Sequence, residues 1–356
     1  MTSAAKASRG DKARCMLNEA PFPAAFGELA YHGGNLAAAR RLFPDAPLPW
    51  IDLSTGVNPE PYPLPAFSPD HWARLPEPEH LAALEAAAAH RYGAPPSQVV
   101  AAPGTQALIQ LLARLRPKRR VGILGFSYGG HERAWRAAGA GVEAVEDIAA
   151  LAAFDVAIVV NPNNPDGRLA TGASLSQLHE QMAARGGILV VDEAFMDLDR
   201  RGQSLVPVLP MNHAVVLRSF GKTYGLAGLR LGFAIASADL VAPLRAGLGA
   251  WPVSGPAIAI GRRALADDGW LAEARLRLER DAERLDRLLI ARGFEALGGA
   301  TLFRLARHRR AASLFVDLMR CGILVRPFAG SPDRLRFGIP GDSQSWRRLE
   351  SALQPI

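Results

Sequence analysis

Short β-branched or aliphatic runs separated by helical patterns constrain this chain more than any other feature. Gln98–Ala102, Val121–Leu124, Val156–Val160, Ile188–Val191 and Ala214–Leu217 are such runs. A strand with one wet face alternates apolar and polar residues, whereas a continuous apolar run suits a strand buried on both faces. Most of these runs are separated by segments of helical periodicity, as βαβ units require. The expected fold class is therefore α/β, a large domain with a mostly parallel sheet. In such sheets ligands bind beyond the carboxyl ends of the strands.

The rest of the chain is organised around that layer. Its 356 residues, 49% of them hydrophobic, can bury a large core with a second, smaller domain. An N-terminal arm is expected over residues 1–48, the large domain over 49–245 and a small α+β domain over 246–356. Residues 44–78 hold ten prolines, from Pro44 to Pro78, and read as irregular extended chain. Pro78 starts a helix that stops near Gly93. Beyond Leu244, the spacing of Leu271, Ala274, Leu278, Ala282, Leu285 and Leu289 predicts a long amphipathic helix. Short strands around Thr301–Leu305, Ile323–Arg326 and Leu335–Phe337 and a helix from Ser343 to Leu353 complete the small domain.

Composition removes several classes of function. The net charge is +7, but the arginines are scattered and form no basic stripe with interleaved aromatics, so no nucleic-acid partner is expected. No apolar stretch approaches the roughly 20 residues of a membrane span. Met1 to Gly10 lack the apolar run of a secretory signal. Cys15 and Cys321 give neither a disulfide framework nor a metal spacing, and no metal is expected. The cytoplasm is the expected compartment.

Four segments at expected strand ends carry chemistry. Asp192-Glu193-Ala194-Phe195 places an acid directly after a buried strand, where a carboxylate is costly unless it is compensated. Ser219-Phe220-Gly221-Lys222, followed by Gly225, Gly228 and Arg230, gathers a hydroxyl, an amine and a guanidinium in one glycine-rich turn. Asn161-Pro162-Asn163-Asn164-Pro165 follows a third strand. Pro103-Gly104-Thr105-Gln106 opens a helix, where free amides and the helix dipole favour a phosphate. Singly, each is commonplace: Gly-Thr before a helix is usually only a cap. Their order and spacing together are specific.

Together, and most of all through Ser219-x-x-Lys222 with Arg230, they resemble the fold type I aminotransferase superfamily over nearly the whole chain from Trp50. That resemblance implies pyridoxal 5′-phosphate as cofactor, held as a Schiff base on Lys222. It implies that Asp192 pairs with the pyridinium nitrogen, keeping it protonated so that the ring is an electron sink. Asn164 would bond the cofactor 3′ oxygen and Tyr128 would stack on the ring. Gly104, Thr105, Ser219 and Arg230 would cradle the phosphate. Arg336, in Leu335-Arg336-Phe337, matches the arginine that grips the substrate α-carboxylate. His131 reads either as a group that orients Asp192 or as a histidine at a helix start, and Arg326 as a second anion clamp or a surface arginine. Glu193 reads as structural. A homodimer is also implied.

Within the superfamily the chain resembles the histidinol-phosphate aminotransferases and, more closely, the threonine-phosphate decarboxylases of cobalamin synthesis. Tyr31-His32-Gly33-Gly34-Asn35 and the Asp52-x-Ser54-x-x-x-Asn58-Pro59 stretch are similar to the decarboxylases. The implied job of His32, Asn35, Asn58 and Arg326 is to hold a phosphorylated amino-acid substrate. Phe195 stands where the aminotransferases usually carry a tyrosine, and a phenyl ring cannot donate to the 3′ oxygen. Leu75-Pro76-Glu77-Pro78 replaces their Tyr-Pro-x-Pro, so position 75 is expected to make no phosphate contact. The expected reaction is decarboxylation of L-threonine O-3-phosphate, with aminotransfer on histidinol phosphate or a related amino acid as the alternative.

Overall fold

A computed structural model describes residues 26–64, 66–117, 119–208 and 212–354. Within them the strands are β1 (Ile51–Leu53), β2 (Val99–Ala102), β3 (Arg120–Leu124), β4 (Gly141–Val145), β5 (Val156–Val160) and β6 (Ile188–Asp192). They continue with β7 (Ala214–Ser219), β8 (Gly232–Ala236), β9 (Glu295–Ala300), β10 (Phe303–Arg307), β11 (Ile323–Pro327) and β12 (Arg334–Gly338). The chain packs as two compact units. One is Glu60–Arg277, and the other joins the described residues up to Pro59 with those from Leu278 onward.

The first unit is built on a seven-stranded sheet of order β2-β8-β7-β6-β5-β3-β4. The pairings β4-β3-β5-β6-β7 are parallel, while β8 runs antiparallel to both of its neighbours, β7 and β2. Alternate residues of the same strands enter two different cores. Val159, Val191, Val216 and Ile235 pack in one, under the helices Pro78–Tyr92, Gly172–Ala183 and Gly255–Leu265. Ile158, Val190, Val215 and Ala234 pack in the other, under the helices Thr105–Leu115, Gly129–Ala137 and Ala238–Leu248. Apolar side chains on both faces are the reason these strands lack polar alternation. Pro78 sits at the first position of its helix, and Gly93 ends that helix with φ +75°.

The second unit contains a five-stranded sheet of order β1-β11-β12-β10-β9. Strand β1 is parallel to β11, with Ile51 beside Ile323, and the other pairings are antiparallel. This pairing changes the division read along the chain: residues 51–53 lie in a sheet with the C-terminal strands, so boundaries at 48 and 245 do not describe the packing. The long helix Asp268–Ala291 carries the chain from the first unit into the second. Part of the expected N-terminal arm, residues 1–25 with Cys15, lies outside the described residues. In the rest of that arm, Gly27–Tyr31 and Leu36–Leu42 are helical.

Candidate active site

The four chemistry-bearing segments of the first unit, with Tyr128, arrive at the same end of its sheet. Strands β2, β3, β5, β6 and β7 run the same way, so the segments after them, bearing Gly104-Thr105, Tyr128, Asn164, Asp192 and Ser219-x-x-Lys222, emerge together. The reversed strand β8 begins at this end, so Arg230, two residues before it, joins them. The close approach there depends on glycine. A Cβ on Gly104, whose φ is +83°, would lie 2.7 Å from an Arg230 guanidinium nitrogen, and one on Gly232 would lie 2.7 Å from the Thr105 amide nitrogen. The amino end of the helix Thr105–Leu115 thus lies beside a guanidinium, and no side chain caps it. Helix amino-end amides, a helix dipole and a cation are the chemistry that a phosphate cradle needs.

Asp192 ends β6 and is 3% exposed. One carboxylate oxygen lies 2.9 Å from His131 Nε2, and the other accepts the Ala194 amide at 3.1 Å. Burial pushes this carboxyl up, but the His131 hydrogen bond and charge, the Lys222 ammonium and the Ala194 amide outweigh it and hold it below the ordinary carboxylate range. An ionised, buried carboxylate is what a protonated ring nitrogen needs as partner. His131 is buried and bonded to Asp192, which favours the orienting reading over a plain helix-start histidine. Tyr128 donates from its hydroxyl to Gln106 Oε1 at 2.9 Å, and its ring stands edge-on to His131, centroids 6.1 Å apart.

Lys222 lies in the short helix Phe220–Thr223 directly after β7. Its Nζ donates to Ser219 Oγ at 3.4 Å and stands 5.2 Å from the centre of the Phe195 ring. Phe195 is buried, and its phenyl face lies beside the amine. Asn164 is half-buried after β5; its neighbour Asn163 bonds Phe126 O and Asp166 and fixes that turn. An amine, an ionised carboxylate and a helix amino end beside a guanidinium fit the expected cofactor in charge.

The second unit collects the segments read as substrate-binding around Ser54. Gly33 touches it so closely that a Cβ would lie 2.3 Å from Ser54 O, and the Gly34 amide donates to Ser54 Oγ at 2.8 Å. Ser54 in turn donates from its amide and its hydroxyl to Asp52 Oδ1, at 2.9 and 2.5 Å. Arg336 donates to the Ser54 carbonyl at 2.6 Å. Arg336 is 7% exposed and sits directly across from Arg326 in the β11–β12 pairing. Burial first, and then the Arg326 charge, push the Arg336 guanidinium well down, against the pull of Asp52. Like charges opposite each other on a sheet repel, so this pair favours an arriving anion.

The remaining candidates differ in what surrounds them. Asn58 is buried after β1. His32 is exposed, with Nδ1 2.9 Å from Gly33 O. The Asn35 side-chain oxygen accepts the Ala38 amide and caps the helix Leu36–Leu42, so its acceptor is engaged locally. Sequence reasoning missed the buried group behind Lys222. Arg218 bonds Glu193 and Asp197, and Thr223 bonds Asp197. The available signal was a charged residue, Arg218, closing an otherwise apolar run.

Comparison with known proteins agrees with this geometry. The chain matches the family model "Aminotransferase class I and II" over residues 50–353. It is 44% identical over 326 residues to a threonine-phosphate decarboxylase of Pseudomonas aeruginosa, covering 90% of this chain and 96% of that one. A threonine-phosphate decarboxylase of a Sinorhizobium species is 42% identical, with 90% and 97% covered. Among solved structures, histidinol-phosphate aminotransferase from Sinorhizobium meliloti in complex with pyridoxal-5′-phosphate superposes with a TM-score of 0.73 at 20% identity, covering 99% of this chain and 97% of that one. The chain belongs to the class I and II aminotransferase family.

Proposed function

We propose that this protein is a pyridoxal-phosphate enzyme that decarboxylates L-threonine O-3-phosphate to carbon dioxide and (R)-1-amino-2-propanol O-2-phosphate. The observation that carries the reading is identity of 42–44% to two threonine-phosphate decarboxylases over 90% of the chain. The site geometry supports it residue by residue. Bound at this end of the sheet, the cofactor supplies a sink for the electron pair released when the Cα–carboxylate bond breaks. Asp192, held ionised by His131, keeps the proton on the ring nitrogen. Lys222 would supply the amine that holds the cofactor. Gly104, Thr105, Ser219 and Arg230 hold the cofactor phosphate, Asn164 the 3′ oxygen, and Tyr128 covers the ring. Arg336 receives the substrate carboxylate, with Arg326, His32 and Asn58 toward the substrate phosphate.

Phe195 bears on the choice between outcomes. Its ring faces the Lys222 amine and gives the cofactor oxygen no hydroxyl to bond. The protein is further proposed to act as a cytoplasmic homodimer. In support, Trp72, Leu75 and Trp251 of the first unit are exposed, and no helix among the described residues is long and apolar enough to cross a membrane. The deciding experiment gives the purified enzyme carboxyl-labelled L-threonine O-3-phosphate, and separately histidinol phosphate with 2-oxoglutarate. Labelled carbon dioxide without any keto-acid requirement is expected. Glutamate formation from histidinol phosphate, with no carbon dioxide from the first substrate, would refute the assignment.

A further inference from the structure

Behind the Lys222 turn lies a buried polar group that none of the roles above uses. Arg218, in β7, is 4% exposed and its guanidinium lies over the Tyr92 ring, 4.4 Å from the centre. One nitrogen donates to Glu193 Oε2 at 2.5 Å and another to Asp197. Glu193 also accepts the Leu205 amide and the Ser204 hydroxyl, both at 2.7 Å. The second oxygen of Asp197 accepts the Thr223 hydroxyl at 3.2 Å, and its carbonyl accepts Arg275 Nε at 2.6 Å. The connectivity is specific. Glu193 is the residue after Asp192, and Thr223 is the residue after Lys222.

We propose that Arg218, Asp197 and Thr223 form a positioning clamp that fixes the Lys222 amine relative to the Asp192 carboxylate. The inference rests on the reading of Lys222 and Asp192 as the cofactor's two anchors. The fork of Arg218 bonds the acid beside Asp192 with one nitrogen and Asp197 with another, and the Thr223 hydroxyl passes that constraint to the lysine turn. A planar fork can hold two carboxylates at once, which a lysine ammonium cannot do with the same geometry. Charge alone does not require this route: Thr223 is neutral and Asp197 is already paired with Arg218. The Thr223–Asp197 bond therefore serves direction rather than charge balance.

The test uses the holoenzyme of wild type, Thr223→Val, Thr223→Ser and Arg218→Lys. Thr223→Val keeps shape and removes the hydroxyl. It is expected to retain the melting temperature and cofactor content, but to lose visible circular dichroism of the bound cofactor and slow borohydride fixation at Lys222. It is also expected to lower kcat about tenfold with KM nearly unchanged, the size of effect that a displacement of a fraction of an ångström produces. Thr223→Ser restores the signals. Arg218→Lys shifts them in the direction of Thr223→Val and covers the case in which that variant does not fold. Wild-type dichroism, fixation rate and kcat in Thr223→Val would overturn the clamp, as would losses that merely follow melting temperature. Dichroism and fixation do not depend on which bond at Cα breaks. A wild type that carries cofactor on Lys222 but releases no carbon dioxide therefore refutes the proposed reaction and leaves the clamp to be judged on those signals. A wild type with no cofactor on Lys222 overturns both.

Discussion

Arg218 and Arg336 are buried to nearly the same degree, 4% and 7% exposed, yet their surroundings push them in opposite directions. Burial drives both guanidinium groups down. For Arg218 the charges of Asp197 and Glu193 overcome that and hold it above the ordinary arginine value. For Arg336 the Arg326 charge adds to burial, Asp52 pulls the other way, and the balance stays down. A buried cation that brings its own carboxylates is a permanent part of the architecture. One set beside another cation suits an anion that arrives and leaves, the role proposed above for Arg336. The charge of Arg218 is thus settled by the architecture around it, whereas the charge of Arg336 suits the ligand proposed for it.

Three experiments would break or sharpen that contrast. The largest effect is expected from Arg218→Met. It strands two buried carboxylates and should lower unfolding free energy by about 3–5 kcal/mol, read as a shift in the urea midpoint at constant slope. A variant as stable as wild type would mean that Arg218 is not settled by its partners.

Arg336→Met is expected to do the reverse. Its urea midpoint should hold or rise, because an unfavourable buried charge is replaced by an apolar chain of similar length. Its kcat/KM for L-threonine O-3-phosphate should fall about 100-fold, the scale of losing a buried charge pair with the ligand. Loss of stability without loss of activity would assign Arg336 to the architecture instead.

The smallest effect concerns pH. The carboxyl of Asp192 is held below the ordinary carboxylate range. Its contribution to stability is therefore fully present above that range and is lost only as pH falls below it. The difference in unfolding free energy between wild type and Asp192→Asn should be flat from pH 7 to about pH 4 and shrink below it. A difference that already declines between pH 7 and 5 would show that Asp192 is not held ionised.

Much of this was legible in the sequence, for physical reasons that vary along the chain. Runs such as Val156–Val160 and Ile188–Asp192 disclosed themselves because both faces are buried. The positions of Asp192 and Lys222 after buried strands followed from the apolar runs before them, whereas their expected roles and that of Arg230 came from the resemblance to the aminotransferase superfamily. Strand β4 was missed because it lies at the sheet edge with mostly exposed or half-exposed residues, leaving no apolar run to read. Strand β1 was hidden among prolines, and its partner β11 lies far along the chain, beyond what local spacing can report. The packing of Gly33 against Ser54 likewise brings together two segments that the sequence only places in order. The roles of Arg218 and Asp197 were not legible because they depend on which side chains meet behind a turn.

The reversed strand β8 has a consequence for how the protein is made. On one side β2, which leads directly into the phosphate cradle at Gly104, has β8 as its neighbour in the sheet, and β8 begins only at Gly232. A nascent chain on the ribosome can emerge with strands β3 to β7 complete while β2 still waits at an open margin. Arg230 and the partner that holds Gly104 and Thr105 in place are delivered by the same late stretch of synthesis. Chains released short of residue 232 would thus expose an unpaired apolar strand and lack one wall of the cradle, which makes them targets for chaperones and proteases rather than weak versions of the enzyme.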